Sequence, residues 1–117
     1  MNPSKEKGIK SRVEAFYKND YFPTISKECE NALRRFPKQQ NGDVLKKLSN
    51  NMQQMHKFLK EINDNVNEKS LDLRKSLVSE FLDEEEQEFA LSYLEGISHK
   101  DIENLVSDYV NEYTKGN

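Results

Sequence analysis

There is no tryptophan in this chain and only one cysteine, Cys29, among 117 residues. A single thiol excludes an internal disulfide. Four glycines and three prolines are too few for the many turns of a β-rich domain. No run of apolar residues approaches the length of a membrane span, and the opening MNPSKEKGIKSR has no apolar core of a secretory leader. The expectation is an intracellular protein, cytoplasmic or nuclear, with no membrane association. Two histidines, His56 and His99, are the whole imidazole supply, and neither has a Glu three residues before it. The HExxH, CxxC, GxSxG and phosphate-loop motifs do not occur. Catalysis lacks its parts unless Cys29 and His56 meet in space, so the expectation is a protein that is not an enzyme and needs no cofactor or metal.

What is present is helix-forming and charged. Charged residues make up 33% of the chain, above the usual quarter. The charge is unevenly placed. Residues 1–60 carry 13 basic and 6 acidic residues, a net +7, and residues 61–117 carry 5 and 15, a net −10. Two halves that fold against each other with complementary faces explain this. A basic half that meets an acidic partner is the alternative. The length suits one domain, residues 1–117, with a basic N-terminal and an acidic C-terminal half.

The organising stretch is Asp43 to Val66. Its apolar residues Leu45, Leu48, Met52, Met55, Leu59, Ile62 and Val66 alternate steps of three and four, an a/d heptad over three repeats. Neither Gly nor Pro interrupts it, and Asp43 can cap its start. Its e and g positions carry no Lys or Glu, which favours a helix in a bundle over a charge-selected coiled coil. Lys46 and Lys47 near its start and Glu61 and Asp64 near its end oppose the helix dipole.

Shorter helices are expected around this spine. Residues 4–19 place Ile9, Val13, Phe16 and Tyr17 at helical spacing; Asn19-Asp20 and Pro23 predict a break, with Thr24 capping the next helix. That helix carries Ile25, Cys29, Ala32, Leu33 and Phe36 and ends at Pro37. Residues 67–70, Asn-Glu-Lys-Ser, break the heptad and predict the end of the spine. Leu73 to Leu82 mark a further helix. Asp83-Glu84-Glu85-Glu86 opens the next, with Asp83 as cap. Gly96 suits a left-handed helix end and Ser98 a fresh cap, followed by Ile102, Leu105, Val106, Tyr109, Val110 and Tyr113 on one face. The expected fold is all-α: a compact five- or six-helix bundle with one long central helix, about 43–66, and helical hairpins at each end.

Two stretches resemble known families. The first hairpin, with Phe16, Ala32 and Pro37 at suitable spacing, resembles half of a tetratricopeptide repeat, although the expected Trp and Gly are missing and no second copy follows. The segment YLEGISHKDIENL (93–105) resembles the helix-turn-helix of sigma-factor region 4, with Gly96 in the turn and Ile97, Ile102 and Leu105 at structural positions. That resemblance would turn His99, Lys100, Glu103, Asn104 and Ser107 toward a DNA groove. Asp101, Glu103 and Asp108 then fall where phosphates would lie.

The expected function is a non-enzymatic protein–protein interaction module: an adaptor, regulator or assembly subunit acting through helix-face packing. Its partner is another protein or a second copy of itself. The candidate contacts are the aromatics Tyr17, Tyr21 and Phe22 and the last helix with Tyr109 and Tyr113. The alternative is nucleic-acid or transcription-machinery binding through Arg34, Arg35, Lys46, Lys47 and Lys100.

Overall fold

The computed structural model of the chain describes residues 1–36 and 44–115, with side chains at 1–36 and 52–114. Its elements are α1 (Pro3–Phe16), a π turn (Tyr17–Tyr21), α2 (Phe22–Arg35), α3 (Val44–Val78) and α4 (Glu84–Lys115). Backbone angles stay right-handed helical at Phe16, Tyr17, Tyr21 and Phe22, so α1, the π turn and α2 form one rod. Among the described residues the fold is all-helical, with three long helices and not five or six. The bundle is also not compact: it measures 65 × 18 × 17 Å. No helix among the described residues is long and apolar enough to cross a membrane.

Each of the three expected breaks is absent for a physical reason. At Asn19–Thr24 the helix widens and does not stop. The Phe22 amide bonds the Tyr17 carbonyl, five residues back. This turn absorbs one extra residue. The buried positions Ile9, Val13, Phe16, Tyr21, Ile25 and Cys29 therefore stay on one face despite the five-residue step from Phe16 to Tyr21. The same widening admits Pro23 at the start of α2. The half-repeat hairpin is accordingly a rod, with no turn between its parts.

In α3 the stretch 67–70 continues as helix. The inward positions run Phe58, Ile62, Val66, Ser70, Leu73 and Leu77. The step of four to Ser70 carries the stripe past Lys69, which stays exposed. Ser70 is polar, but its Oγ lies 2.6 Å from the Tyr21 hydroxyl. In α4 no positive-φ glycine occurs among the described residues. Gly96 is an exposed mid-helix residue and Ser98 is buried at 1% exposure. The stripe Ala90, Leu94, Ser98, Ile102, Leu105, Tyr109, Tyr113 is continuous. The turn of the helix-turn-helix resemblance is therefore missing.

Helix ends are capped as their residues dictate. Asn2 Oδ1 accepts from the Lys5 amide at 2.8 Å, with Pro3 at the first helical position. Asp83 Oδ1 accepts from the Glu85 amide at 3.0 Å. Glu86 does not complete a capping box with Asp83; it takes Lys5 Nζ at 2.7 Å.

Contacts fix the topology. Met1 meets Glu85, Tyr17 meets Asp101 and Arg12 meets Glu80, while Arg35 meets Glu61. The first rod and α4 are parallel, and α3 runs antiparallel between their levels. The core is Val13, Phe16, Tyr21, Ile25, Cys29, Ala32, Phe58, Ile62, Leu77, Ala90 and Leu94, all at most 4% exposed. It closes at one end on Phe58, stacked on Tyr113 at 4.4 Å between centroids and edge-on to Phe36 at 6.0 Å. The predicted spine is thus buried only in part. Met52, a heptad position, is 66% exposed, and Leu45 and Leu48 lie outside the described side chains, as does the expected cap Asp43. The bridges Lys5–Glu86, Arg12–Glu80 and Arg35–Glu61 join the basic half to the acidic half. They are surface pairs worth about 0–1 kcal/mol each.

Three substitutions test this description by urea denaturation. Gly96→Ala adds a methyl that meets no atom within 4 Å and stabilises by about 0.5–1 kcal/mol; a loss of stability would show that a turn exists at this glycine. Phe58→Ala costs about 3–5 kcal/mol, whereas Met52→Ala changes stability by no more than about 0.5 kcal/mol.

Candidate functional site

The five residues singled out for protein binding part company in the structure. Tyr21 is 2% exposed and Tyr113 is 6% exposed. Both are core: Tyr21 holds Ser70, and Tyr113 stacks on Phe58. Tyr109 is half-buried against the core. Tyr17 and Phe22 line an open groove together.

That groove lies between the π turn and α4. Its lining is Tyr17, Lys18, Phe22, Asp101, Asn104, Leu105 and Asp108, and it encloses about 380 Å³. The π turn positions the first rod's contribution. Tyr17 and Phe22 are five residues apart, yet their rings meet edge to face at 5.9 Å. From α4 come Asp101, Asn104, Leu105 and Asp108, spaced as i, i+3, i+4 and i+7, the one-face pattern of a helix. The floor is apolar and the α4 rim is acidic. Tyr17 donates to Asp101 Oδ2 at 2.8 Å. Burial, with that hydrogen bond behind it, raises the Tyr17 hydroxyl well above the ordinary tyrosine range. The sequence reading missed Asp101, Asn104, Leu105 and Asp108 as a set. Their signal was two acids seven apart flanking a leucine.

A second groove, of about 360 Å³, separates α3 from α4. Arg74 bridges it to Glu95 at 2.5 Å. Its Nε is buried without a partner, the one such side-chain atom among the described residues. His99 stands beside it with Glu95 at 3.5 Å and Glu103 at 3.6 Å, all exposed on one face of α4. Among the described residues no three His, Cys, Asp or Glu side chains gather as a metal site. Cys29 and His56 do not meet. Cys29 lies between Tyr21, which meets Ser70, and Phe36, which meets Phe58, so it faces α3 near Ile62–Val66, about 9–15 Å of helix from His56.

Of the residues expected for nucleic acid, the three with described side chains do not form one surface. Arg34 is held by Glu30 at 2.5 Å and Arg35 by Glu61. Lys100 is exposed near the level of Tyr17, about 25 Å along the bundle from the arginines. The side chains of Lys46 and Lys47 lie outside the described residues.

No known family, curated protein or solved structure matches this chain.

Burial pushes the Cys29 thiol up to about 11, and burial raises the Tyr113 hydroxyl as well. A folded-state pKa above the unfolded one gives stability that is whole below the unfolded value and is lost as pH rises through the folded value. The urea midpoint should therefore hold up to about pH 9 and fall between about pH 9 and 11. Cys29→Ala should flatten the first part of that fall. A midpoint that rises over this window would show that the thiol is not buried in the fold.

Proposed function

We propose that the protein is a non-enzymatic protein–protein interaction module, an adaptor or assembly subunit, that takes a segment of a partner protein into the groove beside the π turn. The observation that carries this reading is the apolar floor of Phe22 and Leu105, left half-exposed between the first rod and α4 and rimmed by Asp101 and Asp108. Such a floor suits a few apolar anchors, and such a rim suits lysine or arginine flanking them. A partner helix with one apolar stripe and basic borders has that chemistry.

The test is capture of the tagged protein's partners from native lysate, with and without nuclease. A partner that binds through the groove resists nuclease. Its affinity falls about tenfold or more with Leu105→Asp, as expected for loss of an apolar anchor. It also falls with Asp108→Lys, more at low salt than at high. Capture that survives both changes but is lost with nuclease, or with Arg34→Glu and Arg35→Glu, would overturn the proposal in favour of nucleic acid.

A further inference from the structure

The second groove, between α3 and α4, sorts its residues by polarity along its length. The two helices are antiparallel and Arg74 meets Glu95, so helical spacing sets Ser70 level with Ser98 and Asn63 level with Val106. At the Arg74 end the lining is polar. Tyr21 and Ser70 share a hydrogen bond there, Ser98 is buried, and His99 stands at the rim. Toward Asn63, eleven residues and about 16 Å along α3, the floor is Val66, Ile102 and Val106. The polar residues at that end, Asn63, Asn67 and Glu103, are exposed at its edges. The cavity holds about 360 Å³. At a water-like share of about 30 Å³ each, that is room for about a dozen non-hydrogen atoms. A molecule that is polar at one end and apolar along the rest matches the lining.

The polar end also says which head group fits. An arginine holds a carboxylate best through two parallel N–H bonds. Arg74 donates from Nη2 to Glu95 Oε2 at 2.5 Å, while its Nε is buried without a partner. Glu95 leaves the second bond unmade because its other oxygen, Oε1, faces His99 Nδ1 at 3.5 Å. The fork of Arg74 is therefore half-filled, and a buried donor in that state is costly. We propose that this cavity binds a small monocarboxylate with an apolar body. The ligand's carboxylate accepts from Arg74 Nε and Nη2, and its body lies over Val66, Ile102 and Val106. It takes the place of Glu95, whose side chain is half-exposed and turns to solvent beside His99. Glu103, the other acid of the lining, stands eight residues from Glu95, about 12 Å along α4. At that distance, in an exposed position, its charge on the head group is largely screened. This site shares no lining residue with the groove beside the π turn and does not depend on it.

Titration of the isotope-labelled full chain with octanoate, followed by nitrogen–proton correlation spectra that include the arginine Nε–H signals, decides it. The expected result is a saturable shift of the Arg74 Nε–H signal and of the Ser70, Ser98, Ile102 and Val106 amides, with a Kd of about 1 mM or below for so small a ligand. Octanol, which has the same chain and no carboxylate, should leave the Arg74 signal in place. Glu95→Gln removes the resident carboxylate and should tighten octanoate about threefold or more, because the fork no longer has to be vacated. A bridge with a structural role alone would give no such gain. Arg74→Lys keeps the charge but not the fork and should weaken binding about tenfold. If the urea midpoint shows that Arg74→Lys loosens the bundle, Glu95→Gln alone decides. The proposal is overturned by the absence of a saturable shift up to about ten times the expected Kd. It is equally overturned by octanol moving the Arg74 signal as octanoate does, by shifts centred on Tyr17 and Leu105, or by Glu95→Gln failing to tighten binding.

Discussion

One polar layer crosses the middle of this bundle, and the three long helices depend on it. Tyr21 meets Ser70 across the first rod and α3, and Arg74 reaches Glu95 one turn away. Ser98 is buried at the same level on α4. Above and below, the contacts are apolar: Phe16, Val13 and Leu77 on one side, Ile25, Ile62 and Phe58 on the other. A largely buried hydroxyl pair costs little while both members stay bonded, and up to about 1–3 kcal/mol when one is orphaned. The layer therefore penalises any slip of one helix along another more sharply than apolar contacts would, as a single polar layer does in coiled coils.

The π turn belongs to the same device. It brings Tyr21 to the buried face five residues after Phe16. It also leaves Tyr17 and Phe22 at the surface with their rings in contact. The irregularity that keeps the first rod in register is thus what opens the groove against Asp101, Leu105 and Asp108. The proposed binding face lies beside the bundle's polar layer.

Helical class, the buried faces of α1 and α2 and the complementary charge of the two halves were legible in the sequence. The number of helices was not, and the reason is the same in all three places. Pro23 after Asn19-Asp20, Ser70 after Val66, and Gly96 before Ser98 each look like a stop when helix signals are read locally. All three fall at one level of the folded bundle, where a polar residue on one helix is satisfied or covered by another. Long-range contact overrode local propensity there, and no single-helix pattern shows it. The five-residue step between Phe16 and Tyr21 was the visible trace of the π turn. For the site, aromatic content pointed to Tyr21 and Tyr113, but large aromatics bury well, and these two became core. Asp101 and Asp108 were read only as acids on the helix-turn-helix-like segment, because the break expected at Gly96–Ser98 hid that they share a face of one continuous helix with Leu105.

The central claim is that the helices run unbroken through this layer. It is tested most directly by the distance between spin labels at Ser4→Cys and Arg34→Cys in a Cys29→Ala background, read by pulsed electron resonance. Both label sites are exposed. Thirty residues of continuous helix place the labels about 45 Å apart. A single distribution near that value is the predicted result. A distribution near 20 Å, as a hairpin folded at Asn19–Pro23 would give, would contradict it.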